Sequence, residues 1–173
     1  LIGVDPRPPL ALNTTLVNSA GFKAEEMATN DYFGHHSEVG PNFYWPNDLV
    51  RNVFGYPLAA TVPDPCSPSC YVLDDDSNQV ESLAAGYGPG SADRSLAINA
   101  VIGLIVDSGV TGLGHRIHLL AMNEFNEVFV EAGPGYGYSA ASTYRNYWAF
   151  HTGVKGSIET FLTGVVFADG NLN

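Results

Sequence analysis

With 173 residues, of which 45% are hydrophobic and 14% charged, the chain is long enough to bury one core and too apolar to be a disordered segment. Eighteen acidic residues against seven basic ones leave a net charge of −11, which argues against nucleic acid or anionic lipid as partners and favours cations. No apolar run approaches the ~20 residues that a membrane-spanning helix needs.

Pro6, Pro8 and Pro9 make the start an extended lead-in. Asn13 is placed to cap a helix whose apolar positions Leu16, Ala20, Ala24 and Met27 recur at spacings of four and three, and which should end near Asn30. Asn13-Thr14-Thr15 is also a glycosylation sequon, meaningful only in a source that glycosylates. Two histidines, His35 and His36, follow just beyond the helix terminus. Phe43, Tyr44 and Trp45 form an aromatic cluster that would face a core before a ligand. A short helix over 48–54 should close at Gly55.

Residues 57–79 hold Pro57, Pro63, Pro65 and Pro68, both cysteines and the run Asp74-Asp75-Asp76, so they read as a long loop with a solvated acidic surface. Cys66 and Cys70 are close enough to bridge a small loop, with two free thiols as the other reading. Glu81 then stands alone among small and apolar residues, either as a helix-start glutamate or as a site acid. A helix over 96–106, capped by Ser91 or Ser95 and apolar almost all round, should be central. It ends in Asp107. Gly109, Gly112 and Gly114 make a turn, after which a helical segment opens on His115 and carries His118 on the same face.

Beyond Asn123 the period changes. Residues 127–131, 144–150 and 159–167 are rich in β-branched and aromatic residues, as strands are, and Gly133-Pro134-Gly135-Tyr136-Gly137 reads as a hairpin connection. Helices first and an antiparallel sheet last imply an α+β domain built in layers.

Phe33-Gly34-His35-His36-Ser37, then Glu81 ahead of Leu83-Ala84-Ala85-Gly86, then Gly114-His115-Arg116-Ile117-His118-Leu119-Leu120, then Tyr147-Trp148 resemble, in order, the motifs of the CAP superfamily. That family includes cysteine-rich secretory proteins, plant pathogenesis-related proteins, insect venom allergens and bacterial secreted proteins. The resemblance covers roughly residues 8–153. It implies an extracellular domain over 1–158, folded as a three-layer α-β-α sandwich with a central antiparallel sheet. It also implies a cleft of two histidines and two acids that often holds a divalent cation. Carried over residue by residue, His35 is the first histidine, Glu81 the first acid, His115 the second histidine and Asp107 the best match to the second acid, with His36 a rival to His35. Three residues depart from the family pattern: Ser82 stands where asparagine is usual, Leu104 where tryptophan is common, and Asp107 is shorter than the frequent glutamate. Residues 159–173 resemble a strand and the start of a further extracellular module, with Asp169, Asn171 and Asn173 spaced as in the first half of a calcium loop; a polar terminal turn is the other reading.

Two imidazoles and two carboxylates suit zinc first, and calcium or magnesium next. The expected function is a monomeric secreted binding or interaction domain for a lipid, sterol or other small hydrophobic ligand, or for an extracellular partner. Phe43, Tyr44, Trp45, His36 and His118 are the candidate ligand contacts. The competing expectation is a metal-dependent peptidase or esterase using Glu81 and His115, and a third is a structural module of a larger surface protein. No His-Glu-x-x-His, Gly-x-Ser-x-Gly or P-loop pattern occurs, and neither cysteine has an evident histidine partner for thiol catalysis.

Overall fold

The computed structural model describes residues 9–37, 43–63, 70–89 and 94–157. A two-residue strand, β1 (Ala11–Leu12), leads into helix α1 (Thr14–Asn30). Asn13 caps α1 as its position suggested, its side-chain oxygen accepting the amides of Thr15 and Leu16 at 2.9 and 3.3 Å. The helix closes on Asp31, which adopts a left-handed φ of 54°. Leu16, Ala20, Ala24 and Met27 are all fully buried, so the four-and-three spacing marks the inward stripe of α1.

That stripe rests on β5 (Glu131–Tyr138), and the contact corrects the reading of Gly133-Pro134-Gly135-Tyr136-Gly137 as a turn. Side chains alternate along a strand, and here the α1 side of β5 carries Glu131, beside the Asn13 cap, and then three glycines. A Cβ on Gly133 would lie 2.1 Å from the carbonyl carbon of Leu16, and one on Gly135 would lie 2.1 Å from that of Ala20. On Gly137 it would meet the carbonyl oxygen of Ala24 at 2.2 Å. The three glycines match three helical residues spaced four apart, so helix main chain lies directly on strand main chain. Pro134 is tolerated because β1 covers only Glu131 and Ala132 of that edge, leaving no partner for the amide that proline lacks.

Strand β5 pairs antiparallel with β6 (Asn146–Gly153), which pairs antiparallel with β4 (Glu81–Gly86), giving a sheet in the order β1-β5-β6-β4. The sheet is mixed rather than wholly antiparallel, because β1 runs parallel to β5. Glu81 opens a strand and not a helix: its register opposite His151 supplies a long-range partner that outweighs the helical leaning of Leu83, Ala84 and Ala85. The strand expected over 127–131 starts only at Glu131. Just before it, α5 (Glu124–Glu127) forms a short turn capped by Asn123. The strand expected over 144–150 lies at β6, two residues later in the chain.

The short helix begins earlier than expected, as α2 (Pro46–Asp48), and continues as a π-helical turn over Leu49–Val53 that ends at Gly55, φ +72°. Within the expected long loop, β2 (Thr61–Pro63) pairs with β3 (Cys70–Val72). Cys66 lies outside the described residues, and with it the expected bridge to Cys70; so do the strand expected over 159–167 and the segment 159–173.

Helix α3 (Arg94–Val106) is the largest departure from expectation. Although apolar on nearly every side, it buries only Leu104, and Ile98, Ile102 and Val106 are 45%, 51% and 50% exposed. The face of the sheet that carries the core is already filled by α1. Helix α3 therefore lies over the opposite face, where Pro134, Tyr136, Trp148 and Phe150 point. Its C-terminus turns into α4 (Gly114–Leu120). Among the described residues, no helix is long and apolar enough to cross a membrane.

Candidate functional site

Glu81 is the first residue of the edge strand β4 and faces the same side as Leu83, which packs with Ala20 and Ala24 of α1. Each of its carboxylate oxygens meets an imidazole. His35 Nδ1 lies 2.8 Å from Oε1, and His151 Nε2 lies 2.8 Å from Oε2. The Asn78 amide nitrogen also approaches His35 Nδ1, at 2.9 Å. A ring nitrogen carries either a hydrogen or a lone pair, and the charge on Glu81 places the hydrogen on Nδ1, donated to the carboxylate. Asn78 instead holds the strand entry, its Oδ1 accepting the Glu81 amide at 3.0 Å.

Behind His151 stands Ser19 of α1, whose hydroxyl lies 2.7 Å from Nδ1. The row runs Ser19, His151, Glu81, His35, and only His35 reaches solvent, its side chain 37% exposed. Burial pushes the Glu81 carboxyl up, but the hydrogen bonds from His151 and His35, with the charges of His151 and Lys23, outweigh it and hold the group below its ordinary value. Lys23 is itself buried, donating to the Tyr32 hydroxyl at 2.9 Å. Tyr32 in turn donates to Glu26 at 2.5 Å, and Ser37 donates to the same carboxylate. Burial first, then the bond to Glu26, pushes the Tyr32 hydroxyl far up.

A second dyad forms across the turn after α3. Asp107 adopts a left-handed φ of 53°, and its Oδ2 accepts the amides of His115 and Arg116 at 3.0 and 3.2 Å, capping α4. Its Oδ1 accepts from His115 Nδ1 at 2.8 Å. Arg116 reciprocates, its guanidinium donating to the carbonyls of Ile105 and Val106 at the end of α3. Gly109 and Gly112, at φ +85° and +84°, make the reversal, as their positions in the sequence suggested. Burial pushes the Asp107 carboxyl up, and the bonds from His115 and the two amides more than offset it, leaving it below the ordinary range. The His115 ring is 25% exposed and its carboxylate partner 1%.

His118 is buried between the two dyads. Thr152 hydroxyl donates to the Val80 carbonyl, so it accepts from His118 Nε2 at 2.7 Å, and Ser82 donates to Nδ1 at 2.7 Å. The ring is a neutral, doubly satisfied imidazole. Burial, then the charges of His151 and His115, lower its pKa to about 4. Charges on Glu81 and His35 also act on it, so both dyads lie in its electrostatic neighbourhood. Ser82, where the family resemblance would put asparagine, is what His118 leans on.

Of the sequence-derived site residues, His35 is brought to Glu81 and His115 to Asp107, but no hydrogen bond joins the pairs. They approach the start of β4 from opposite faces of the sheet. A cavity of about 390 Å³ is lined by Asp107, His115, Ser108, Ala84 and Trp148, and neither His35 nor Glu81 borders it. Among the described residues, no group of three or more histidine, cysteine, aspartate or glutamate side chains has the geometry to hold a metal. His36 stands apart, its ring 4.9 Å from that of Trp45 and 5.7 Å from that of Phe43. Phe43 and Trp45 are 60% and 37% exposed and Tyr44 is half-buried, so this cluster faces outward rather than into a core. His118 presents no open ring nitrogen to a ligand. His151, Ser19 and Asn78 are the residues that sequence reasoning missed. His151 was findable, because continuing the two-residue alternation from Tyr147 through Ala149 puts it on the same face of β6.

In each dyad the carboxylate takes the Nδ1 hydrogen and leaves Nε2 of the exposed ring with no hydrogen-bond partner among the described residues. An imidazole held this way is a preorganised lone-pair donor, able to ligate a cation or to take up a proton. No protein-family model, curated protein or solved structure matches the chain.

Proposed function

We propose that the chain is an extracellular binding domain of CAP type, a three-layer α-β-α sandwich, in which two carboxylate–histidine dyads each present a single imidazole Nε2, that of His35 and that of His115, as a separate anchor for a divalent cation. One observation carries the reading. In both dyads the only partly exposed member is a histidine whose Nδ1 is spent on a buried carboxylate. That is the support a metal-ligating histidine requires, with its tautomer and ring orientation fixed by the group behind it. The four motifs stand in the family's order, which supports the kinship.

The donor set fits zinc better than calcium or magnesium, because the exposed atoms are imidazole nitrogens. The carboxylates stand behind the histidines rather than beside them as ligands. A cation held there would supply Lewis acidity and an anchor for an oxygen of a ligand. The dyads alone orient the rings and receive a proton at Nε2. A small hydrophobic ligand or an extracellular partner is the expected cargo of such a domain.

Titration calorimetry with zinc chloride tests the reading. The wild-type protein should take up zinc, and His35→Ala and His115→Ala should each weaken uptake at least about tenfold with unchanged circular dichroism. A wild-type protein that binds no zinc at millimolar concentration would overturn it. Hydrolysis of a model ester that disappears in His115→Ala would move the assignment to a hydrolase, since a dyad of this kind is also a general base.

A further inference from the structure

Glu131 is a buried carboxylate that neither dyad uses. It opens β5, with Ala11 of β1 paired on one side and Gly153 of β6 on the other. Two residues beyond each of these neighbours the chain supplies a reactive group. Asn13 Nδ2 donates to Glu131 Oε1 at 2.7 Å, and Lys155 Nζ lies 3.4 Å from Oε2. The Lys155 side chain is 21% exposed and that of Glu131 4%, so both are largely withdrawn from water. Tyr56, itself buried, donates to Oε2 at 2.6 Å. Its ring fills the space in front of Gly153, where a Cβ would lie 2.5 Å from it.

The carbonyl of the Asn13 carboxamide is polarised as well. Its Oδ1 accepts the amides of Thr15 and Leu16 at 2.9 and 3.3 Å, at the positive end of α1. These donors stand where negative charge would develop if a nucleophile attacked Cγ. One carboxylate thus touches both an amine and the nitrogen of a carboxamide whose oxygen is already held by two amides. Those are the parts of an amide-transfer site: nucleophile, proton carrier and oxyanion donors.

We propose that Lys155 and Asn13 join in an intramolecular isopeptide bond, with Glu131 as the catalytic base and acid. Oε2 takes a proton from the Nζ ammonium, and the amine so freed attacks Cγ. Charge gathers on Oδ1, facing the amides of Thr15 and Leu16. Glu131 passes its proton through Oε1 to Nδ2 and takes the second proton from Nζ. The Nζ–Cγ bond forms, and the Cγ–Nδ2 bond breaks with its electron pair on nitrogen. Ammonia leaves and collects the proton then on Glu131, departing as ammonium. No oxidation state changes and no co-reactant is needed. The product ties the start of α1 to the chain beyond β6, closing nearly the whole described chain into one covalent loop. The site shares no residue with the dyads, so it stands or falls apart from the zinc reading.

Intact-mass spectrometry of the protein, made in a host that does not glycosylate Asn13, reads the bond directly. Wild type should weigh less than its sequence by one ammonia. Trypsin should yield one branched peptide that joins the Asn13 peptide to an uncut Lys155. Lys155→Arg and Glu131→Gln should each restore the full mass. Lys155→Arg, which keeps a cation beside Glu131, should retain the wild-type circular dichroism and melt at a lower temperature, its unfolded chain no longer closed into a loop. Should Glu131→Gln fail to fold, Lys155→Arg and the branched peptide carry the test. A wild-type protein of full mass after prolonged incubation in the folded state would overturn the proposal. So would a loss of ammonia that persists in Lys155→Arg, the mark of a succinimide between Asn13 and Thr14, or one that persists in Glu131→Gln.

Discussion

Glu81 and His151 stand directly opposite one another on β4 and β6, and their 2.8 Å bond is sealed from solvent at both ends. Removing Glu81 breaks both of its imidazole bonds, removing His151 leaves the buried carboxylate short of one, and breaking such a buried pair costs about 3 kcal/mol or more. Urea denaturation at neutral pH should therefore show Glu81→Ala and His151→Ala destabilised by about that amount, with His35→Ala milder because its ring is partly hydrated. Equal effects of all three substitutions would contradict the burial gradient along the row. The pH dependence follows from the lowered carboxyl of Glu81. Its contribution is complete above the ordinary value of 4.5 and is lost as pH falls below it, because the unfolded chain then binds the proton first.

His118 acts at higher pH. Its pKa is about 4 in the fold against an ordinary 6.5, so between these values the unfolded chain carries a proton that the folded one does not. Stability should fall as pH is lowered through this window, by about 3 kcal/mol in all. His118→Gln, which can still bond Ser82 and Thr152, should flatten the profile. Denaturation midpoints that stay constant for the wild type from pH 7 to pH 4.5 would refute the buried, neutral imidazole.

Gly135→Ala should be far more damaging than an average glycine substitution. The new methyl would fall on the main chain of Ala20, which cannot rotate aside, so α1 must lift from the sheet. A loss of about 3 kcal/mol or failure to fold is expected in thermal unfolding. A control at Gly103, whose Cβ would meet nothing within 4 Å, should be close to neutral or stabilising.

These residues also show what could be read from the chain. Helix α1 was legible because its cap and its apolar stripe are local, written into Asn13 and the four-and-three spacing. The glycine run of β5 was not, since glycine and proline side by side signal a turn unless one knows that a helix must lie on every second residue. Glu81 was recognised as a site residue, yet its strand depends on β6, about seventy positions away. The apolarity of α3 was plain, but composition alone does not say whether a helix is covered by protein or by a ligand. The histidine–acid pairings were anticipated as a cluster, while the partition into two dyads on opposite faces depends on register.

Asp107 links fold and site, and its removal should show in both. Asp107→Ala uncaps α4, at about 1 kcal/mol, and frees His115 Nδ1. In nitrogen-15 spectra of the wild-type imidazoles, His115 should be protonated at Nδ1; in the variant, the Nε2-protonated form should appear and zinc affinity should fall about tenfold or more. An unchanged His115 tautomer in Asp107→Ala would show that another group orients the ring.

Bare main chain sets the gap between α1 and β5, and that gap has almost no play. Ser19 carries one of the shortest polar side chains, and it spans to His151 because nothing bulky props helix and sheet apart. Each link from Ser19 to His35 is thus cut to a fixed length. A methylene removed from it, as in Glu81→Asp, would have to be matched by a change in how closely the helix is seated.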